Sequence, residues 1–228
     1  MKVFKGFLLS YIRYGDHDAI LNCFTESHGY FSFFAKGIYA PSNKKKAYLF
    51  PLNEVEITVN SIKNGQIVKA SKIELLKSYY DEKSLNMNCI LMFSSDFLHQ
   101  VLRNENENHS LYSEIDLFLN ALRLGNMTAH STLVFNILRH NGLHPLDSNL
   151  PFLNPQSGNF ENQESNALFD EKISEIWKKY IKTVENYTIH IPRAERNLFI
   201  ESLMMYYSFH FDHFRTPDSL DILKQIFE

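Results

Sequence analysis

The 228 residues, 44% hydrophobic and 21% charged, can bury one large core or two small ones. Nineteen Phe and twelve Tyr against only eight Gly and seven Pro exclude a disordered or low-complexity chain. The formal net charge of -3 averages two unlike halves, because residues 1–80 carry eleven Lys and Arg against six Asp and Glu, while the rest is acidic. A basic first half suits a polyanion partner, although an excess of five charges is also within ordinary scatter.

In chain order, the first 80 residues read as short β-type runs broken by turn chemistry. The runs are Val3–Tyr14, Ala19–Thr25, Tyr30–Ile38, Leu49–Ile62 and Gln66–Leu76. Gly15-Asp16-His17 and Ser27-His28-Gly29 separate the first three, a long loop to Ala47 follows the third, and Asn64-Gly65 predicts a type I′ hairpin turn between the last two. Five strands fit an OB-type barrel, with an SH3-like barrel as the alternative of equal strand count. Near residue 80 the period changes. Met87, Ile90, Leu91, Phe97, Leu98, Val101 and Leu102 recur at three and four residues, which predicts a helix over about 83–103. Further helices are expected over 110–124, 128–141, 169–186, 193–213 and 218–227, with a polar, Pro-rich connector at 143–167. The fold class is therefore α+β, an N-terminal five-stranded OB-fold β-barrel over 1–80 followed by an all-α helical domain over 81–228. Leu143, Leu146, Leu150, Phe152 and Phe160 are expected to hold the connector by packing on the helices.

Cys23 and Cys89 are too few and too far apart for a disulfide framework or a four-cysteine zinc site, which fits a reducing, cytosolic setting. No apolar stretch approaches the roughly 18 residues of a membrane span, so neither an anchor nor an export signal is expected. The chain holds no Gly-x-Gly, no phosphate-binding Gly-x-x-x-x-Gly-Lys, no Gly-x-Ser-x-Gly and no His-Glu-x-x-His, so the expectation is a protein that is not an enzyme and needs no cofactor. His210 and His213, three apart beside Asp212, are the nearest approach to a metal pair, but no third and fourth ligand can be named, and no metal site is assigned.

The strongest functional signal is Tyr39-Ala40-Pro41-Ser42-Asn43-Lys44-Lys45-Lys46-Ala47-Tyr48. Lys44, Lys45 and Lys46 offer charge to phosphates, and Tyr39 and Tyr48 offer flat faces to bases. The bland alternative is a solvated lysine turn whose tyrosines close the barrel. Lys5, Arg13, Lys36, Lys69 and Lys72 on neighbouring strands favour a nucleic-acid-binding groove.

Several of these stretches together resemble one family. Lys5-Gly6, Tyr14-Gly15-Asp16 with Asp18 and Ile20, Phe24-Thr25-Glu26-Ser27-His28-Gly29, Ala35-Lys36-Gly37 and Ala47-Tyr48-Leu49-Phe50-Pro51-Leu52 are similar, in order and spacing, to the N-terminal domain of the bacterial RecO recombination mediators. The likeness extends more loosely through Arg139-His140-Asn141-Gly142-Leu143-His144-Pro145 and the final Tyr206/His210 helix. The resemblance implies a DNA repair and recombination mediator of the RecFOR pathway. Such a protein binds single- and double-stranded DNA, anneals complementary strands, and with RecR assists RecA loading where single-strand-binding protein coats the DNA, in the bacterial cytoplasm at the nucleoid. An OB-fold module for structured RNA or tRNA is the alternative.

Two departures from the family matter. Many relatives place four cysteines in the stretch matching 143–165 and bind zinc there; this chain has none in that stretch, so no zinc is carried over. Some relatives place an arginine near the start of the third helix of the C-terminal domain, where it meets the tail of single-strand-binding protein; here Thr128-Ala129-His130-Ser131 stands instead. The tail is then expected at Arg123, His130, Leu133, Phe135, Leu138 and Arg139. Lys178 and Lys179 beside Trp177 form the other basic cluster with an aromatic at hand.

Overall fold

Alternation of apolar and polar residues drives five strands to close on one core, and the computed structural model, which describes residues 1–61 and 67–226, shows how they pair. The strands are β1 (Lys2–Tyr14), β2 (Asp18–Thr25), β3 (Gly29–Ala35), β4 (Glu54–Val59) and β5 (Val68–Lys77), closed in the order β1-β2-β3-β5-β4. All pairs are antiparallel except β3 with β5, and β4 returns to β1 through Phe4↔Ile57 and Gly6↔Val55. This Greek-key closure is the OB-fold, and the SH3-like alternative falls away. Phe4, Leu8, Leu21, Cys23, Phe33, Ile57 and Val59 fill the interior at 2% exposure or less. The Asn64-Gly65 turn lies outside the described residues.

The region 49–53, read as the start of a strand, is instead a tight turn. Buried Leu52 takes φ 60°, a left-handed conformation that is rare for a branched side chain. Its N–H donates to the Leu8 carbonyl at 2.8 Å, and the Leu8 N–H donates to the Asn53 carbonyl at 3.0 Å, so the turn stands in for ladder pairing on β1.

The chain divides into two compact units, Met1–Tyr112 and Ser113–Glu228, beyond the change of period near residue 80. The first helix, α1 (Leu85–Val101), explains why the strands end before the compact unit does. Ser95 Oγ donates to the Leu9 carbonyl at 2.5 Å, and His99 Nδ1 lies 3.1 Å from both Ser10 Oγ and Tyr30 Oη. Helix α2 (His109–Arg123) begins in this unit, with the Tyr112 ring 4.8 Å from that of Phe7.

The second unit contains α3 (Ala129–His140), α4 (Glu171–Lys182), α5 (Arg196–His210) and α6 (Ser219–Gln225). Every residue of α3 from Ala129 to Leu138 is buried, so α3 is a central helix without a solvent face until its last turn. Trp177 sits among Phe135, Phe169, Phe199 and Tyr206. The connector contains a two-stranded hairpin, β6 (Phe152–Asn154) with β7 (Asn159–Glu161). Leu153 and Phe160 anchor it, whereas Leu146 is 77% exposed and Leu150 also faces solvent, so those two leucines do not hold the connector. Among the described residues no helix is long and apolar enough to cross a membrane.

Candidate nucleic-acid interface

The barrel sorts the basic residues by face. Lys5 Nζ lies 2.9 Å from Glu54 Oε1, and Lys72 Nζ lies 2.8 Å from Glu74 Oε1. Both lysines sit where β1, β4 and β5 adjoin; Lys5 pairs with Glu56 in register and Glu56 with Glu74, so this face carries carboxylates beside its lysines. Lys5 and Lys72 therefore belong to an ion-paired face rather than to a groove with the remaining bases.

Arg13, Lys36, Lys69 and the three-lysine segment gather elsewhere. The segment after β3 is stitched to the β1–β2 turn: Tyr39 N–H donates to the His17 carbonyl at 2.8 Å, and Gly37 N–H donates to Asp18 Oδ1 at 2.6 Å. Lys36 and Lys69 line one pocket of about 670 Å³ together with Asn60, Ser61 and Ile67. Lys44, Lys45 and Lys46 open a 3₁₀ turn, Lys44–Tyr48, which Asn43 caps by accepting from the Lys45 N–H at 2.9 Å while its own amide donates to the Gly37 carbonyl. Lys44 and Lys46 are exposed, and among the described residues no ion pair engages Lys36, Lys44, Lys45, Lys46 or Lys69.

The flanking tyrosines behave differently from the expected stacking faces. Tyr39 and Tyr48 are partly buried against the barrel core, and the Arg13 guanidinium sits 5.3 Å from the Tyr39 ring centre. The tyrosines thus close the barrel, as the bland reading of this segment has it, while the lysines stay outside. Outward-facing aromatics do occur on the barrel, at Tyr14 and Phe34, whose rings meet edge-on at 5.8 Å. The signal that marks them is strand alternation, which puts Tyr14 and Phe34 out of phase with the interior residues Leu21 and Phe33.

In the second unit the expected tail-binding residues separate. Leu133, Phe135 and Leu138 are each fully buried on a helix covered all round, so they do not line an open apolar groove. His130 is buried at 3%, and burial holds its pKa down to about 3, so it presents no charge to a ligand. Arg139 Nη2 donates to the carbonyls of Tyr180 at 2.5 Å and Thr183 at 3.1 Å, which ends α4. Arg123 is exposed at the end of α2. Lys178 is also committed within the chain, bonded to Glu175 at 2.8 Å and over the Phe160 ring. An opening lies at the start of α3, a pocket of about 460 Å³ lined by Asn126, Thr128, Tyr187, His190 and Arg196. His210 and His213 do not share a helix face, because α5 ends at His210 and His213 takes φ 59° beyond it; His210 Nε2 lies 2.8 Å from the Pro155 carbonyl.

A five-stranded OB barrel with cations collected at one end, continued by a mainly helical unit, defines a class of two-part proteins built around an oligonucleotide-type fold. Residues 1–79 match the family model described as Recombination protein O N terminal. Over 98% of its length the chain is 27% identical to the DNA repair protein RecO of Flavobacterium psychrophilum and 28% identical to that of Christiangramia forsetii, covering 98% of each. It is 25% identical to the DNA repair protein RecO of Ehrlichia chaffeensis across 91% of this chain and 88% of that one. The chain is thus similar to DNA repair proteins RecO along nearly its whole length, and to the RecO N-terminal domain over residues 1–79.

Proposed function

We propose that this protein is a DNA repair and recombination mediator that works by binding and not by bond chemistry. Its barrel, residues 1–80 buttressed by α1, holds single- and double-stranded DNA and brings complementary strands together. With RecR, the protein assists RecA loading onto DNA coated by single-strand-binding protein. The observation that carries this reading is the gathering of Arg13, Lys36, Lys44, Lys45, Lys46 and Lys69 at one end of the barrel, away from the ion-paired lysines. Relatives named DNA repair proteins over nearly the whole chain support the biological setting.

The helical domain receives the acidic, apolar-ended tail of single-strand-binding protein. The pocket at the start of α3 suits such a peptide better than the buried faces of Leu133 and Phe135, since Arg196 and His190 stand beside apolar Ile189 and Met127 there. A salt titration with fluorescent single-stranded DNA tests the DNA-binding role. A linear loss of log affinity against log salt, with a slope of roughly three or more, is expected from several phosphate contacts. No binding at low salt overturns it.

A further inference from the structure

The outward face of the β1–β2–β3 sheet is apolar where a solvated strand face should be polar. A register shift between Leu8 and Ser10 moves Ser10, Ile12 and Tyr14 onto the outside of β1. Ile12 then lies opposite Ile20, Ile20 opposite Phe34, and Phe34 opposite Lys69, one row crossing four strands. Tyr14, 59% exposed, stands edge-on to Phe34, and Ile12 is 58% exposed. The other end of the same face is closed, since Asn22 Nδ2 donates to Ser10 Oγ, Ser32 Oγ donates to Asn22 Oδ1, and His99 of α1 caps them. Helix α1 therefore covers the polar end and leaves the apolar end open. Single exposed apolar residues are ordinary, but a continuous row over adjacent strands marks a contact surface.

The charges at its margins decide what covers it. Lys69 ends the row, Lys36 joins Lys69 across their common pocket, and the Asp18 carboxylate at the start of β2 accepts from the Gly37 N–H. A protein partner would have to match these cations with carboxylates on its own rim. A duplex offers phosphates, but its base faces are already stacked on one another. Unpaired bases on a phosphate backbone offer both planar faces and negative charge. We propose that Ile12, Tyr14, Ile20 and Phe34 form a base-stacking platform that gives the barrel its preference for single-stranded DNA, with the backbone running past Lys36 and Lys69. The proposal rests on the reading of the barrel as DNA-binding.

The test compares the full chain with its Tyr14→Ala, Tyr14→Phe and Phe34→Ala variants on three probes at one salt concentration: an oligothymidylate, an abasic strand of equal length, and a duplex. The parent is expected to bind the oligothymidylate more tightly than the abasic strand. Tyr14→Ala should weaken the oligothymidylate about tenfold, the loss of one stacked base, with abasic and duplex affinities unchanged and Tyr14→Phe restoring the parent value. Phe34→Ala should act alike; if it fails to fold, exposed Tyr14 still decides. A parent that binds all three probes with an oligothymidylate-to-abasic ratio that Tyr14→Ala leaves intact overturns the platform and spares the DNA-binding role. Equal losses on oligothymidylate and duplex also overturn it. A parent that binds none of the probes overturns the DNA-binding role itself.

Discussion

Arg139 terminates a neighbouring helix: its guanidinium donates to the Tyr180 carbonyl in the last turn of α4 and to the Thr183 carbonyl just beyond it. The same side chain lies over the Phe135 ring at 5.3 Å. A cation placed on the last carbonyls of a helix satisfies acceptors that the helix cannot pair and meets the negative end of its dipole. Arg139→Ala is therefore expected to cost about 2–3 kcal/mol of stability, read as a lowered denaturant midpoint, and Arg139→Lys to recover only part, since an ammonium lacks the planar fork. Under conditions where Arg139→Ala remains folded, its affinity for an acidic tail peptide should equal the parent's. Arg196→Ala, on the pocket at the start of α3, should lower that affinity about tenfold in a fluorescence anisotropy titration. Equal effects of the two substitutions would return the tail site to Arg139.

The two lysine populations on the barrel should separate in the same kind of experiment. Lys36→Ala with Lys69→Ala is expected to reduce the salt slope of DNA binding by up to about two, and replacing Lys44, Lys45 and Lys46 together by up to about two to three. Lys5→Ala with Lys72→Ala removes charges already matched by Glu54 and Glu74, and should leave the slope within about half a unit of the parent's. A slope that falls equally in all three variants would mean that the whole barrel surface, and not one end, meets the phosphates.

What the sequence made legible was whatever depends on neighbours along the chain. Alternation exposed the five strands, and three- and four-residue spacing exposed the helices, because side-chain direction has those periods regardless of what covers them. Pairing across distance was not legible. Nothing local tells that β3 runs parallel to β5, that Lys5 will meet Glu54, or that Leu52 will turn back onto β1. The burial of α3 was not legible for a related reason. Helix α3 holds His130, Ser131, Thr132 and Asn136 among its apolar residues, and such polar groups ordinarily reach solvent. Two of them are instead met inside: Thr132 Oγ1 lies 3.0 Å from Tyr180 Oη, and Asn136 Nδ2 donates to Glu114 at 2.8 Å. A helix whose polar groups find internal partners can be buried all round.

Gly29 and Gly15 give a controlled pair for the barrel's turns. Both take positive φ, 65° and 60°, so alanine is strained at either. At Gly15 a Cβ would meet nothing within 4 Å, whereas at Gly29 it would sit 2.2 Å from the Asn106 carbonyl oxygen and 2.4 Å from that of Glu105. The Tyr30 N–H donates to the same Glu105 carbonyl at 2.9 Å, so the segment after α1 lies directly on the β2–β3 turn. Gly15→Ala should cost about 1 kcal/mol, and Gly29→Ala at least about 2 kcal/mol more, since backbone must move. Denaturant unfolding of the two variants measures the difference, and equal losses would mean that the segment at 105–106 yields without cost.

His130 supplies a pH dependence whose sign follows from its burial. Burial pushes its pKa down to about 3, the Met127 backbone hydrogen bond acts in the opposite sense, and the Arg196 charge pushes it down again. In the unfolded chain the imidazole titrates near its ordinary value of about 6.5. Between those two values the unfolded state takes up a proton that the folded state refuses. Stability is therefore full above about pH 6.5 and declines as the pH falls toward 3, by up to about 1.4 kcal/mol per pH unit. Integrated from pH 7 to pH 5, this group accounts for about 2 kcal/mol of lost stability. His99 and His144, which burial shifts the same way, contribute further loss in the parent and in any His130 variant alike, so they cancel in a comparison. His130→Gln removes the titrating group and should lose about 2 kcal/mol less than the parent between pH 7 and pH 5, whatever its stability at pH 7. Urea unfolding at the two pH values gives the four free energies required. Equal losses in parent and variant would show that the folded protein accommodates a charged imidazole at this position.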